Sequence, residues 1–425
     1  MNIAVIGTRG LPATWGGVER HVEEIGARLV DRGHQVTVFT RPGYAANVGD
    51  RYRGMWLREV RTVRRKGVEA LLHSLNAAAH AVGRPGYDVV HLHAVGPALV
   101  TPVARYLTRA GVVHTVHGLD ADRDKWRGPE RTLLNLGTWM SARVPHRTIV
   151  VSQDLQRHYL DTYGRTTDHI PNGVTPVADA EEVSVADRFG VQPGRYLLHV
   201  GRLVPEKASD VLLRAFAEVP GDDVRLVVAG GSSDTDDYVA EIFALAAHDP
   251  RVVMAGYVYG ADLASLYRNA RAFVLPSRLE GLPITLLEAA SHGLPLVVSA
   301  IPPHLEVVGH ERPGARLAEP GSVASLSEAM KRSLHDDDER RGAAALATEV
   351  LQRYDWDAAT VATEAVYRAA IDARRRGRSV AAGGERCVGN LRSLLRARAL
   401  RPRRLLWRTP TSVPPGAGPG RSARA

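Results

Sequence analysis

Two residue pairs carry the chemistry in this 425-residue sequence: Glu280 with Glu288, and Arg202 with Lys207. The glutamates lie in the stretch P-S-R-L-E-G-L-P-I-T-L-L-E-A-A, from Pro276 to Ala290. An apolar run, Ala272 to Leu275, precedes it and reads as a buried parallel strand. Gly281 marks a loop, and Pro283 suits the first position of a helix, where its fixed φ fits and its missing N–H costs nothing. A strand end, a turn with free N–H groups and a helix N-terminus together accommodate an anion. Carboxylates do not hold phosphate, but they accept hydrogen bonds from hydroxyls, as on a ribose and a hexose. A sugar nucleotide offers phosphates and hydroxyls together. The same glutamates also suit the acid and base of a glycosidase. Against that, Glu288 follows the phosphate-type turn, as does the acidic residue that holds a ribose in dinucleotide folds.

Arg202 and Lys207 follow the strand ending at Gly201, one on the loop and one entering a helix. The planar fork of Arg and the point charge of Lys suit a diphosphate and its charge as a leaving group. A lysine at a helix N-terminus is electrostatically unfavourable unless an anion sits beside it. In the first half, Gly16-Gly17 opens a helix and permits close backbone approach to a ligand. The surrounding residues do not spell G-x-G-x-x-G, which argues against a nicotinamide or flavin cofactor. His117-Gly118 ends another strand, whereas His91, His93 and His114 read as neutral core histidines. No cysteine partners or His-x-x-x-His spacing accompany them, so no metal is expected. Asp120, Asp122 and Asp124 read either as a solvated loop or as lining the acceptor side, and Asp234-Thr235-Asp236 reads as a helix start.

These residues need strand ends to stand on, and the pattern supplies them. Strand-like runs at Ile3–Gly7, Gln35–Thr40, Asp88–Leu92, Val112–Val116 and Thr148–Val151 alternate with helical segments such as Val18–Val30 and Arg131–Arg143. The alternation lapses near 171–191 and restarts with Leu197–Val200, Arg225–Ala229, Arg251–Ala255, Ala272–Leu275 and Leu296–Ser299. The fold expected is α/β, with two doubly wound Rossmann-like domains facing a cleft. The divisions are 1–176, a linker at 177–192, a second domain at 193–352, a helix at 353–373 and an Arg-rich tail at 374–425.

The formal net charge is +9, but the tail holds 14 Arg against Glu385, a net +13, so residues 1–373 are net −4. A basic tail with Trp407 as its single aromatic, on an acidic body, argues against nucleic-acid binding. Its Pro- and Gly-rich end predicts disorder. A second basic stretch, Arg51 to Lys66, sets seven basic residues against Glu59 and includes Tyr52, Met55 and Trp56. Together with the tail it suits an anionic membrane surface. One cysteine excludes an intrachain disulfide, and no apolar run approaches the ~20 residues of a membrane span. A cytoplasmic protein, peripheral on the inner face of the plasma membrane, is the expectation.

The motifs together resemble the retaining glycosyltransferase family 4, of GT-B fold. G-R-L-V-P-E-K (Gly201–Lys207), the E-x7-E from Glu280 to Glu288, G-G-V-E (Gly16–Glu19), His117-Gly118 and P-N-G-V (171–174) carry the resemblance, which runs from Met1 to about Ala370. I-G-T-R-G-L-P-A and H-G-L-D-x-x-R-D-K-W are similar to a subgroup that includes rhamnosyltransferases of bacterial polysaccharide assembly. The resemblance implies a nucleotide diphosphate sugar donor, a lipid-linked or glycan acceptor and no metal. It assigns Arg202 and Lys207 to the diphosphate, approached by Gly16 and Gly17, and Glu288 to the ribose. Glu280 with Gly281, Leu282 and Pro283 would hold the donor sugar, and His117 would contact it. Glu19, Asp120 and Asp122 fall to the acceptor side. The family's glycine after the lysine is here Ala208.

Overall fold

The computed structural model describes residues 1–381 except Trp15, 45–47, 64–67, Pro85, 120–127, 176–183, 232–235 and 336–337. Asp120, Asp122, Asp124, Asp234, Lys66 and the tail beyond 381 therefore lie outside the described residues. The first half yields β1 (Asn2–Ile6), β2 (Gln35–Thr40), β3 (Arg51–Tyr52), β4 (Met55–Glu59), β5 (Val89–His93), β6 (Gly111–Val116), β7 (Arg147–Val150) and β8 (Asp168–His169). They form one sheet in the order β3-β4-β2-β1-β5-β6-β7-β8, antiparallel only between β3 and β4. The second half yields β9 (Tyr196–Val200), β10 (Arg225–Ala229), β11 (Val252–Gly256), β12 (Ala272–Leu275), β13 (Leu296–Ser299) and β14 (Ala315–Ala318). These are all parallel, in the order β11-β10-β9-β12-β13-β14.

Both orders place the first strand of the half in the middle, with later strands added on either side of it. The direction of winding therefore reverses between β1 and β5, and again between β9 and β12. Loops leaving such a pair of strands splay apart and open a crevice at the strand C-terminal ends. Central strands are apolar and wholly buried, as in β12 (A-F-V-L) and β13 (L-V-V-S), because helices cover both sheet faces. The sequence pattern missed β3, β4, β8 and β14. Of these, β3, β8 and β14 are short edge strands and β4 is next to the edge, where the alternating or all-apolar signature is weakest.

The basic stretch beginning at Arg51 is not a free surface segment along its first part. It forms the edge hairpin β3–β4, in which Met55 and Leu57 are buried. Tyr52 donates to Glu23 at 3.2 Å, Arg53 pairs with Glu23 and Glu24, and the Arg51 guanidinium lies over the Trp56 ring.

Helix α1 (Gly17–Asp31) follows β1, and α14 (Trp356–Ala381) returns from the second half to the first sheet. Helix α14 continues through Arg374, Arg375 and Arg376 beyond the expected end at 373. Its return begins where Val174 N–H donates to Tyr354 at 2.8 Å and Trp356 packs, 1% exposed, against Gly173. A Cβ on Gly173 would stand 2.4 Å from Trp356 N, so only glycine admits the indole there. Farther along, the Tyr367 hydroxyl meets His91 Nδ1 at 2.7 Å, and Ala370 and Ile371 press on Gly111. Glu364 pairs with Arg32 at 2.8 Å. Removing the buried indole deletes an anchor of this crossing. Trp356→Ala should destabilise the protein by roughly 3–5 kcal/mol, the range for a buried aromatic cut to alanine. A melting temperature equal to that of the unaltered protein would contradict this role.

Candidate active site

The loops leaving β9 and β12 stand side by side at the reversal in the second sheet. After β9 comes Gly201, then half-buried Arg202, then the 3₁₀ turn Pro205–Lys207. Ala208 follows with φ +54 and opens α7 (Ser209–Ala217). The family's glycine at this point is thus matched in conformation, though not in residue. Alanine holds the left-handed geometry at a strain of about 1 kcal/mol. After β12, Ser277, Glu280 and Gly281 lead to Pro283, which caps α10 (Ile284–Ser291). Pro283 is the residue before the first helical turn, not the first residue within it as the sequence suggests.

Lys207 and Glu280 meet across these loops. Lys207 Nζ donates to Glu280 Oε1 at 2.5 Å, and Ser277 Oγ donates to the same oxygen at 2.7 Å. Burial alone would raise the Glu280 carboxyl. Lys207, His304 and the two hydrogen bonds overcome it and hold the group below its ordinary value. Glu288 lies on α10 and accepts from the Tyr267 hydroxyl at 3.2 Å. Burial raises Glu288, with Arg20 from α1 pulling the other way. The two glutamates therefore sit in opposite electrostatic settings.

The first half supplies the facing wall. Glu19 accepts from Arg9 N–H at 3.0 Å and Thr8 Oγ1 at 3.4 Å, and Glu23 accepts from Ala13 N–H at 2.8 Å. Glu19 thus holds the loop after β1 in place, a structural use of the carboxylate expected on the acceptor side. A Cβ on Gly17 would stand 3.7 Å from Ile284 Cδ1, so the N-termini of α1 and α10 face one another across the halves. Gly281 comes closest of all: a Cβ there would be 1.8 Å from the His117 carbonyl oxygen. Asn172 donates to the Leu282 carbonyl at 2.9 Å, and Tyr259 donates to the Thr14 carbonyl at 2.6 Å. The donor-side turn 281–283 thereby rests directly on the first half.

His117 is not alone. Its Nε2 lies 3.0 Å from His93 Nδ1, and His21 on α1 packs edge-on at a ring separation of 4.8 Å. His93 in turn lies 4.0 Å, ring to ring, from His91. Sequence reading placed His91 and His93 in the core and left His21 unremarked. Residues 21, 93 and 117 come from three separate βα units, so no spacing in the chain announces their convergence. Asn172, within the P-N-G-V motif, is the residue that ties His21 to the second half, at 2.9 Å.

Comparison with known proteins accords with this architecture. The family model described as "Glycosyltransferase Family 4" matches residues 15–177, and that described as "Glycosyl transferases group 1" matches 188–349. An uncharacterized glycosyltransferase of Methanocaldococcus jannaschii is 26% identical over 88% of this chain and 99% of its own length. The D-inositol 3-phosphate glycosyltransferase of Mycobacterium tuberculosis is 29% identical over 67% of this chain and 64% of its own. Among solved structures, sucrose-phosphate synthase from Thermosynechococcus elongatus superposes with a TM-score of 0.73 at 24% identity, covering 86% of this chain and 98% of that one. Anabaena HepE in complex with UDP and glucose superposes with a TM-score of 0.72 at 20% identity, covering 86% and 99%. The fold and the matched models define a glycosyltransferase of GT-B architecture. Within that class, residues 15–177 match the model of glycosyltransferase family 4.

Burial makes the histidine cluster sensitive to acid. His21 is lowered to about 4, His114 to about 3, and His91, His93 and His117 fall well below 6.5, in each case chiefly through desolvation. In the unfolded chain these rings titrate near 6.5. The stability they contribute is present above that pH and is lost as pH falls from 6.5 toward 4, because only the unfolded chain takes up the protons. Each contributes a slope of at most about 1.4 kcal/mol per pH unit. Thermal melting between pH 7.5 and 4.5 should show a steep fall below 6.5. A flat profile across that window would show that the rings titrate normally.

Proposed function

We propose that this glycosyltransferase moves a hexose or deoxyhexose from a nucleotide diphosphate sugar, with retention at the anomeric carbon. The observation that carries the proposal is the Lys207–Glu280 pair beside Arg202, at the strand reversal of the second sheet. Lys207 spends one of three N–H groups on Glu280, leaving two to meet phosphate oxygens. The facing N-termini of α1 and α10, with Gly16 and Gly17 at the start of α1, add positive helix ends and backbone room for the diphosphate. Glu288 accepts ribose hydroxyls, and Glu280 with Gly281, Leu282 and Pro283 accepts those of the sugar. His117, placed against Gly281, contacts the sugar being transferred. The UDP and glucose held by Anabaena HepE support a nucleotide sugar as donor.

The chemistry asked of the residues is modest. As the glycosidic bond to phosphate lengthens, positive charge grows on the sugar ring and negative charge on the departing diphosphate. Arg202 and Lys207 stabilise the latter as preorganised donors, in a site where they need not rearrange. The departing phosphate oxygen takes the acceptor's proton, and the acceptor oxygen bonds to the anomeric carbon on the face the phosphate leaves. No metal takes part. Glu19 holds the loop after β1 rather than meeting the acceptor, so the acceptor side falls to Asp120 and Asp122.

The rhamnosyltransferase-like motifs at the start of the chain favour a lipid-linked or glycan acceptor in cell-surface polysaccharide synthesis, at the cytoplasmic face of a membrane. No described helix is long and apolar enough to cross a membrane. Arg51 and Arg53 are engaged by Trp56, Glu23 and Glu24, so the remaining basic residues of 58–66 and those of the tail would supply attraction to anionic lipid, about 1 kcal/mol each near the surface. Transfer to a small soluble acceptor is the second reading, favoured by the name of the D-inositol 3-phosphate relative.

Arg202→Ala and Lys207→Ala should each lower kcat by on the order of 10²–10³, the usual loss for one charge-stabilising donor. The measurement is sugar transfer, or donor hydrolysis, with UDP, GDP, dTDP and ADP sugars. Full turnover by Arg202→Ala would remove the leaving-group role. Separately, activity should survive excess EDTA, and a chelator-dependent loss would overturn metal independence.

A further inference from the structure

We propose that His21, His93 and His117 form a binding site for a divalent transition metal ion of the zinc type, and that occupation of this site inhibits sugar transfer. The three rings supply one nitrogen each, with no two of these atoms farther than 4.8 Å apart. Two of them, His93 Nδ1 and His117 Nε2, are already 3.0 Å apart. The ring centroids are separated by 4.8, 5.3 and 5.6 Å. Three imidazoles on a tetrahedral zinc, bonded at ~2.0–2.1 Å with ring centres about 3.2 Å from the ion, stand about 5.2 Å apart. The observed spacings bracket that value. The nitrogens themselves must draw in from 4.8 Å at the widest toward about 3.3 Å, a small rotation of the rings.

The hydrogen bonds around His21 orient it for the task. Asn172 Nδ2 donates to the Leu282 carbonyl, which leaves Asn172 Oδ1 as the atom facing His21. His21 Nδ1 must therefore carry the proton, which leaves Nε2 as the nitrogen with a free lone pair. A ligating histidine whose second nitrogen donates to a fixed oxygen is the usual arrangement in metal sites. Burial also keeps all three rings neutral at pH 7, so no proton competes with the ion. His21 and His93 are 1% and 2% exposed, and half-buried His117 opens the site toward the crevice. That opening leaves the fourth coordination position for water or a ligand oxygen.

The inhibitory part rests on the reading of His117 as a contact for the transferred sugar; the binding part does not. An ion held by His117 withdraws its nitrogen from a sugar hydroxyl and sets a positive charge where the transition state already gathers positive charge. No redox change or group transfer is involved. This site differs from a catalytic metal centre, since transfer itself needs none.

The test uses full-length protein stripped with a chelator and titrated with ZnCl₂ or CoCl₂, without donor. One zinc per chain by calorimetry and mass spectrometry is expected, with the intense visible bands of tetrahedral cobalt. His21→Gln and His93→Gln should each weaken binding at least tenfold, with circular dichroism confirming that both fold. Zinc binding unchanged in both folded variants, or weak octahedral cobalt bands, would overturn the site. Transfer should then fall with zinc in the unaltered protein and recover on chelation. Undiminished transfer at saturating zinc would overturn the inhibition. If no sugar is transferred under any condition, the failure belongs to the donor reading, and zinc binding still decides the site.

Discussion

The close approach of Gly281 to the His117 carbonyl is the contact on which the site's geometry depends. A Cβ at 1.8 Å from that oxygen is impossible, so the turn can reach the first half only because residue 281 has no side chain. That one contact seats the turn against the first half, next to Glu280, which bonds Lys207 within its own half. The Asn172–Leu282 and Tyr259–Thr14 hydrogen bonds flank it and limit rocking between the halves. A substrate-binding crevice lined by two sheets needs such a pivot, because neither sheet alone surrounds a ligand.

Charge in the site is arranged in opposed pairs. Lys207 keeps Glu280 ionised at a buried position, where isolated carboxylates become protonated. Glu288, with Tyr267 as its hydrogen-bond donor, is raised instead. On the facing wall, burial keeps the packed imidazoles neutral. The crevice thus sets the ionic Lys207–Glu280 pair opposite a group of neutral imidazoles, an asymmetry that suits a ligand with a charged diphosphate at one end and hydroxyls at the other. Helix α14 stabilises the neutral wall from behind: Tyr367 bonds to His91, which packs at a tilt against His93, which bonds to His117.

Much of this was legible in the residue pattern. Alternating apolar runs and helical periodicity identified ten strands, most of them central, because a strand buried on both faces must be apolar throughout. Glycine and proline marked the turns, and the spacing placed Arg202, Lys207 and Glu280 at strand ends of one sheet and Glu288 on the helix that follows. The short edge strands escaped notice, and the edge hairpin at Arg51–Glu59 read as surface. Two to five residues exposed on one side leave too few apolar positions for a period to register. The position of Pro283 slipped by one, as helix ends do when the cap has no side-chain signature.

What the sequence determined by itself is local: which segments become strands, which turns require glycine, and which side chains carry charge or accept hydrogen bonds. These follow from backbone sterics and from the period of burial along the chain. Only the tertiary structure decided the strand order, and with it the two reversals that open the crevice. It alone joined Lys207 to Glu280, set Gly281 on His117 and gathered His21, His93 and His117 from three βα units. Such contacts depend on how sheets and helices pack across long chain separations, and no spacing along the sequence encodes that distance.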